Sequence, residues 1–524
     1  MASRRLWAKA DLELGRERLL AGDAADAGSA FASAGRWPGV RALARAGETM
    51  SAARAGRRVS ETLAPETLAF VPGEPLLVSA IRAGQLEAAG ALADVLRRSG
   101  DLLGGLYAAA LAFEAGDESA ARSAVAGSGV PFEARGLGVR LVRALQAREA
   151  GARTLLLDRR GELVAALPAS DSARPDADAA PLVAGVLGRL GAVPEARALR
   201  LTIDLELSRA AQLAIGGRRG SIVLVEARSG SVLAAVSDAR TAAIEPAAAF
   251  EERREPASIA KLLTAAAAYR SGLDADAAIS HMTCTGVARY GGKLLWCAHP
   301  GGPLAGLDDA LAQSCNIAFA NLGVGLGAAR LEDEYRRWGF DAGPGALLGA
   351  AGRVHTPPLT PRQLADLSIG LEHVDVTPLH ATLLAAVVAN DGRLPEPRLA
   401  AGACGPLGLS SERPPPPVER EVIDPRIARR LRQAMEAVAR GGTGAGLAPT
   451  GYAVAMKTGT ASEPGHGYHV NYIGFARLGE TPVAFCVRVT HEPTSPAVTV
   501  SAHEVTRRLL QALADRSRGP RAGF

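Results

Sequence analysis

The strand-forming sequence of this 524-residue chain falls into two groups at opposite ends of one long stretch. Gly220–Glu226 and Ser231–Val236 are apolar, β-branched runs on either side of Ala227-Arg228-Ser229-Gly230, which reads as an antiparallel hairpin. Three further strand candidates, Tyr452–Thr458, His469–Ala476 and Pro482–Val489, arrive only near the carboxyl end, and a helical pattern over Ser501–Asp515 follows them. The sequence between the two groups is largely helical, interrupted by Pro414–Pro417, which proline keeps out of helices and central strands. The expected fold is therefore α+β, a five-stranded antiparallel sheet over 201–515 closed by both ends of a domain and flanked by the inserted helices.

Residues 1–150 have a different texture, rich in Ala, Leu, Arg and Glu with helical periodicity. Ala21-Gly22-Asp23, Ala83-Gly84-Gln85 and Ala115-Gly116-Asp117 each fall between helix-like runs, at separations near one or two multiples of the roughly 34-residue tetratricopeptide period. Two readings of this α-helical region stay open, a TPR-like array and an irregular bundle. Residues 151–200 form a short connecting segment, with a hairpin pattern over Arg153–Ala165 and a polar, Pro-containing linker over Asp171–Ala180. Residues 516–524 read as a disordered tail.

Composition excludes some classes of function. The net charge of +5 is small for the length, and Arg is interspersed with Asp and Glu, so no nucleic-acid footprint is expected. No run of about 18 apolar residues occurs; Leu102–Phe113 and Ala381–Ala389 are too short to span a bilayer. The basic start Met1–Ala10 leads into Asp11, Glu13 and Glu17, which is not a signal peptide pattern. Five cysteines leave at least one unpaired; Cys284 and Cys297 are spaced for a loop-closing bridge or are two small buried thiols. His466 and His469 lack a third ligand in view, His281, His299 and His491 stand alone, and no metal site or cofactor is expected.

Lysine is rare. Of 59 basic residues, Lys occupies only positions 9, 261, 293 and 457. Lys261 closes Ser258-Ile-Ala-Lys261, at a spacing that puts both side chains on one helix face, where a neutral amine can take the proton of an attacking serine. Arginine could not do this, because a guanidinium stays protonated. Asparagine is as scarce, at 316, 321, 390 and 471, yet Asn316 lies in Ser314-Cys315-Asn316 within a helical pattern over Leu307–Ala320. Ser314 can relay a proton to a leaving amine, and the Asn316 amide can accept from Lys261 and donate to a substrate. Lys457-Thr458-Gly459-Thr460 ends a strand; Lys457 offers a fixed positive charge, Thr458 and Thr460 hydroxyls for a carboxylate, and Gly459 room for close approach. The backbone N–H groups of Ser258 and Thr460 would form an oxyanion hole.

With these three motifs in this order, residues 150–515 resemble the penicillin-binding proteins, in particular the class B transpeptidase domain. The likeness extends to Ala312–Phe319, Ser368-Ile-Gly370, Val376–Leu379, Ala389–Gly392, Gly441–Gly444 and Asn471–Phe475, and Arg153–Ala165 is similar to the family's lead-in to a non-catalytic pedestal. Met456 and Ile259 depart from the small or hydroxylated residues usual beside the lysine and the nucleophile, and Leu371-Glu372-His373 replaces a more common Gln-Gly. The resemblance implies a serine-type D,D-transpeptidase that cross-links peptidoglycan stem peptides, takes β-lactams as covalent inhibitors and works on the extracytoplasmic face. A D,D-carboxypeptidase or β-lactamase would share every motif residue, although neither Glu372 nor Glu463 is at a spacing that makes it a deacylating base. An inactive scaffold would act through the N-terminal helices on cell-wall or division proteins.

Overall fold

A computed structural model describes residues 102–127, 137–168, 174–175, 180–190, 196–343, 346–355, 360–410, 412–463, 467–491 and 498–518, with short stretches before these that include a helix at Ala24–Ala34. Two of the turn tripeptides that suggest repeats, Ala21-Gly22-Asp23 and Ala83-Gly84-Gln85, lie outside the described residues, as do 519–524. Ala115-Gly116-Asp117 forms the turn between helices α1 (Leu102–Ala115) and α2 (Glu118–Gly127). Helix α3 (Leu137–Glu149) follows.

The Arg153–Ala165 hairpin pattern becomes strands β1 (Ala152–Leu157) and β2 (Leu163–Pro168), antiparallel in register Leu155↔Ala166. Around them a five-stranded sheet is built. Arg174–Pro175 (β3), within the segment read as linker, pairs with β2, and β4 (Ala198–Leu201) runs parallel to β1. Its far edge is β7 (Ala400–Cys404), antiparallel to β4. This last strand corrects the linear division at residue 200: the chain leaves the larger domain, adds an edge to the lower sheet and returns past the exposed Pro414–Pro417 loop.

The helices before β1 share a core with this sheet. Ala109, Ala110 and Phe113 of α1 and Leu141, Ala144 and Leu145 of α3 pack with Leu155, Leu157, Leu163, Ala198 and Leu407. A buried carboxylate then ties α1 to the loop after β7. Glu114 accepts from the Leu407 N–H at 2.8 Å, the Ser410 hydroxyl at 2.7 Å and the Ser410 N–H. A Cβ at Gly405 would collide with that carboxylate, so a larger residue there would displace Glu114 from its bonds.

The upper sheet has the order β8-β9-β10-β5-β6, all antiparallel. Strands β5 (Gly220–Glu226) and β6 (Val232–Ser237) come from the first group of candidates, and β8 (Val454–Glu463), β9 (Gly467–Leu478) and β10 (Thr481–His491) from the second. Helix α4 (Leu205–Ile215), capped by the Asp204 carboxylate, covers one face with the carboxyl-terminal α8 (Val498–Arg518). Helix α7 (Pro378–Ala389) covers the other face and is buried on every side, which is why it is apolar without being a membrane helix. Among the described residues no helix is long and apolar enough to cross a membrane. Helix α8 also corrects the tail: it continues to Arg518, and Arg516 donates to Asp204 at 3.0 Å and to Glu206 at 2.6 Å.

Replacing Glu114 by Ala leaves the buried Leu407 N–H and the partly buried Ser410 N–H without this acceptor. Glu114→Ala is expected to lose about 3 kcal/mol of stability, and thermal denaturation of the full chain, compared with an exposed Glu149→Ala control, checks it.

Candidate active site

The first motif begins with strain. Ala257, an L-residue at φ +52°, is held by its N–H on the Gly370 carbonyl at 2.8 Å and turns the chain into a 3-10 turn at Ala257–Ala260 that continues as α5 (Lys261–Arg270). Ser258, partly exposed, sits one turn before Lys261, which is fully buried, and the Lys261 amine donates to the Ser258 Oγ at 2.9 Å.

The second motif is not in a continuous helix. A helix over Leu307–Ala312 stops, Ser314 adopts φ +56°, and α6 (Asn316–Leu326) starts afresh with the Cys315 sulfur as N-cap for the Ala318 N–H. The break aims three acceptors at one amine. Lys261 Nζ donates to the Ser314 carbonyl at 2.7 Å, to Asn316 Oδ1 at 2.7 Å and lies 3.2 Å from Ser314 Oγ.

The third motif does not end a strand: β8 runs through it, with Lys457↔Ile473 and Thr460↔Val470 paired to β9. β8 is an edge strand, and its open side faces the turn that carries Ser258. A Cβ at Gly459 would lie 2.9 Å from the Pro256 carbonyl and 3.2 Å from the Ser258 N–H, so glycine is needed there first to let β8 close on the candidate nucleophile. Lys457, also fully buried, donates to Ser314 Oγ at 2.9 Å and to the Thr458 carbonyl at 2.7 Å. The Thr458 hydroxyl bonds to Thr443, and Thr460 is exposed.

Electrostatics distinguishes the two lysines less than the sequence suggests. Among the described residues neither has a carboxylate partner. Burial pulls Lys261 down to about 7, and burial followed by the charge of Lys261 pushes Lys457 well below its ordinary value. Burial therefore works against a positive charge on Lys457 in the same direction as on Lys261. Two amines joined through Ser314 Oγ are poorly placed to be cationic together.

Residues 220–511 match the family model for the penicillin binding protein transpeptidase domain. The chain belongs to the class B penicillin-binding proteins. It is 31% identical over 313 residues to the peptidoglycan D,D-transpeptidase PbpA of Mycolicibacterium smegmatis, covering 52% of this chain and 62% of that one. Against stage V sporulation protein D of Bacillus subtilis it is 29% identical over 249 residues, 45% of this chain and 38% of the relative. The chain thus spans between about two-fifths and three-fifths of these relatives' length. Penicillin-binding protein A of Mycobacterium tuberculosis, solved as a ceftriaxone acyl-enzyme complex, superposes with TM-score 0.57 at 23% identity over 69% of this chain and 98% of that one, a likeness of fold.

Several residues of this penicillin-binding protein that hold the site escaped sequence reasoning. Arg488, fully buried in β10, donates to Asn471 Oδ1 at 2.7 Å, the Glu252 carbonyl at 2.6 Å and the Val376 carbonyl at 2.8 Å. Asn471 Nδ2 and His469 Nε2 reach the Glu255 carbonyl at 3.1 and 2.9 Å. Together they fasten the segment leading to Ser258 onto the sheet, and His469 is thereby occupied. The available signal was an arginine, Arg488, next to the end of the apolar run Pro482–Val489. His466 and the side chain of Glu463 lie outside the described residues. Met456 and Ile259, the departures from family pattern, are buried, Met456 under Gly444 and Ile259 under Gly459, so they shape the frame of the motifs. Glu372 is exposed at φ +58°, its N–H on the Glu255 carboxylate.

A buried amine at about 7 sets a pH profile. The neutral form grows as pH rises through that value, so the rate of acylation by a fluorescent penicillin should climb from pH 5.5 and level off above pH 8, as read by quenched-flow labelling. Lys261→Arg keeps a cation that cannot become neutral, and labelling should fall by roughly 10³-fold or more; a Lys261→Arg protein that acylates normally would exclude Lys261 as the base.

Proposed function

We propose that this chain is a D,D-transpeptidase that cross-links peptidoglycan stem peptides on the extracytoplasmic face through an acyl-enzyme on Ser258. The observation that carries the reading is the convergence of Ser258, Ser314 and Asn316 on the buried Lys261 amine, with Lys457 on the far side of Ser314. A stem peptide ending in D-Ala-D-Ala lies along the open edge of β8, its terminal carboxylate toward Thr458, Thr460 and Lys457. Neutral Lys261 takes the Ser258 proton as Oγ attacks the carbonyl of the penultimate D-Ala. The N–H groups of Ser258 and Thr460 receive the oxyanion. The proton passes through Ser314 to the departing D-Ala amine, and the C–N bond breaks. A second stem's amine then attacks the ester, Lys261 accepts the amine's proton and passes it to Ser258 Oγ as the acyl C–O bond breaks, and the new amide leaves with the Ser258 hydroxyl restored. The carboxylate of the bound peptide supplies the negative charge that Lys457 lacks in the free site, so binding of the correct substrate favours its ammonium form.

The hydrolytic alternative differs only in whether water or an amine reaches the ester. β-Lactams fit the same path, because the opened ring stays on Ser258 as an ester. Purified protein given donor and acceptor stem peptides should form a cross-linked dimer and release D-Ala one for one, as followed by mass spectrometry; D-Ala release without dimer would assign a carboxypeptidase. Fluorescent penicillin should label the protein covalently and Ser258→Ala should remain unlabelled. Lack of label in the intact chain would favour an inactive scaffold.

A further inference from the structure

The second motif has a second life below the catalytic face. The excursion between α5 and α6 folds as two small hairpins, Thr283–Cys284 with Gly302–Pro303 and Val287–Tyr290 with Lys293–Trp296. It brings Cys284, Cys297 and His299 against Cys315, the middle residue of Ser314-Cys315-Asn316, with one donor atom of each within 4.8 Å of the others. His299 is thus not isolated, and the two-cysteine bridge considered from sequence leaves out half the cluster. We propose that Cys284, Cys297, His299 and Cys315 form a tetrahedral site for a borderline-soft divalent cation, zinc being the one its donors suit best.

Four observations point to a cation. The Cys284 and Cys315 sulfurs each lie 3.7 Å from that of Cys297. Thiolates about 2.3 Å from a tetrahedral zinc are about 3.8 Å apart, whereas a disulfide joins two sulfurs at about 2.05 Å. Backbone N–H groups donate to the outer sulfurs, Gly286 to Cys284 at 3.4 Å and Ala318 to Cys315 at 3.5 Å, the support a metal-bound thiolate requires. His299 Nδ1 lies 2.7 Å from the Pro300 carbonyl. A carbonyl only accepts, so Nδ1 carries the hydrogen and Nε2 keeps a lone pair. That Nε2 is buried and has no partner among the described residues, so a cation is the missing acceptor of its electrons.

The placement gives the site a task. Cys315 caps α6 between strained Ser314 and Asn316, and Asn316 Nδ2 donates to the Trp296 carbonyl at 2.7 Å, next to Cys297. A cation would bind the hairpins to this turn and hold the Ser314 and Asn316 acceptors on Lys261. These four are positioning residues, and each cysteine loses its proton to solvent as the metal binds.

The full chain, expressed with zinc and dialysed in metal-free buffer, should retain close to one zinc per chain by plasma mass spectrometry. Cobalt exchange should give thiolate-to-cobalt charge transfer and tetrahedral d–d bands. Cys297→Ser and the milder His299→Gln should lower bound metal, and Cys404→Ser, outside the cluster, should not. Thiol titration in denaturant with chelator should count all five cysteines. Stripping the metal should slow penicillin acylation roughly tenfold or more, with recovery on adding zinc. A chain that retains no metal overturns the proposal, whether five thiols react or only three because Cys284 and Cys297 are bridged. Metal content and thiol count do not depend on the transpeptidase reading, so either conclusion can fail alone.

Discussion

A lysine amine enclosed in protein, with no carboxylate partner among the described residues, is the interaction on which the rest of this structure depends. Lys261 is fully buried, and its hydrogen bonds go to one carbonyl, one amide oxygen and two hydroxyls. A charged ammonium taken out of water without a counter-ion costs several kcal/mol, so the group gives up its proton near neutral pH. The left-handed backbone at Ala257 and at Ser314 belongs to the same constraint. Each costs of order 1 kcal/mol, and each aims a serine at the amine from a different element.

Holding those elements requires a frame assembled from distant sequence. β5 and β6 join β8, β9 and β10 in one sheet; β10 carries Arg488, which grips Glu252 and Val376, and β9 carries Asn471 and His469 on the Glu255 carbonyl. The turn that carries Ser258 is thus fixed from below by the sheet and from the side by Gly459 of the edge strand. The lower sheet follows the same logic on a smaller scale: β7 arrives from residues 400–404, and Glu114 closes its loop onto α1.

Much of this was legible in advance because it is local. Ser258 and Lys261 are one helical turn apart, and the β-branched runs name their strands; the grouping of strands at both ends implies the sheet. What was misread involves partners far along the chain. Leu307–Ala320 has unbroken helical periodicity, yet Cys315 N–H bonds to Ala310 and Thr443 N–H to Ala312, and the helix breaks at Ser314. Lys457-Thr458-Gly459-Thr460 looks like a strand end followed by a turn, but pairing with 470–473 carries the strand through it. Ala400–Cys404 is a weak strand by composition and becomes one because β4 offers an unpaired edge. His299 seems solitary until the hairpins fold it against three thiols.

By itself the sequence determined which chemical groups are available and which of them are neighbours on one turn: a serine, an amine that can be neutral, and the order of three motifs. The tertiary structure alone decided the state of those groups. A lysine's readiness to lose a proton depends on how much water remains around it and on which charges stand near, and for Lys261 and Lys457 both are set by segments that lie far apart in the chain and meet only in the folded domain.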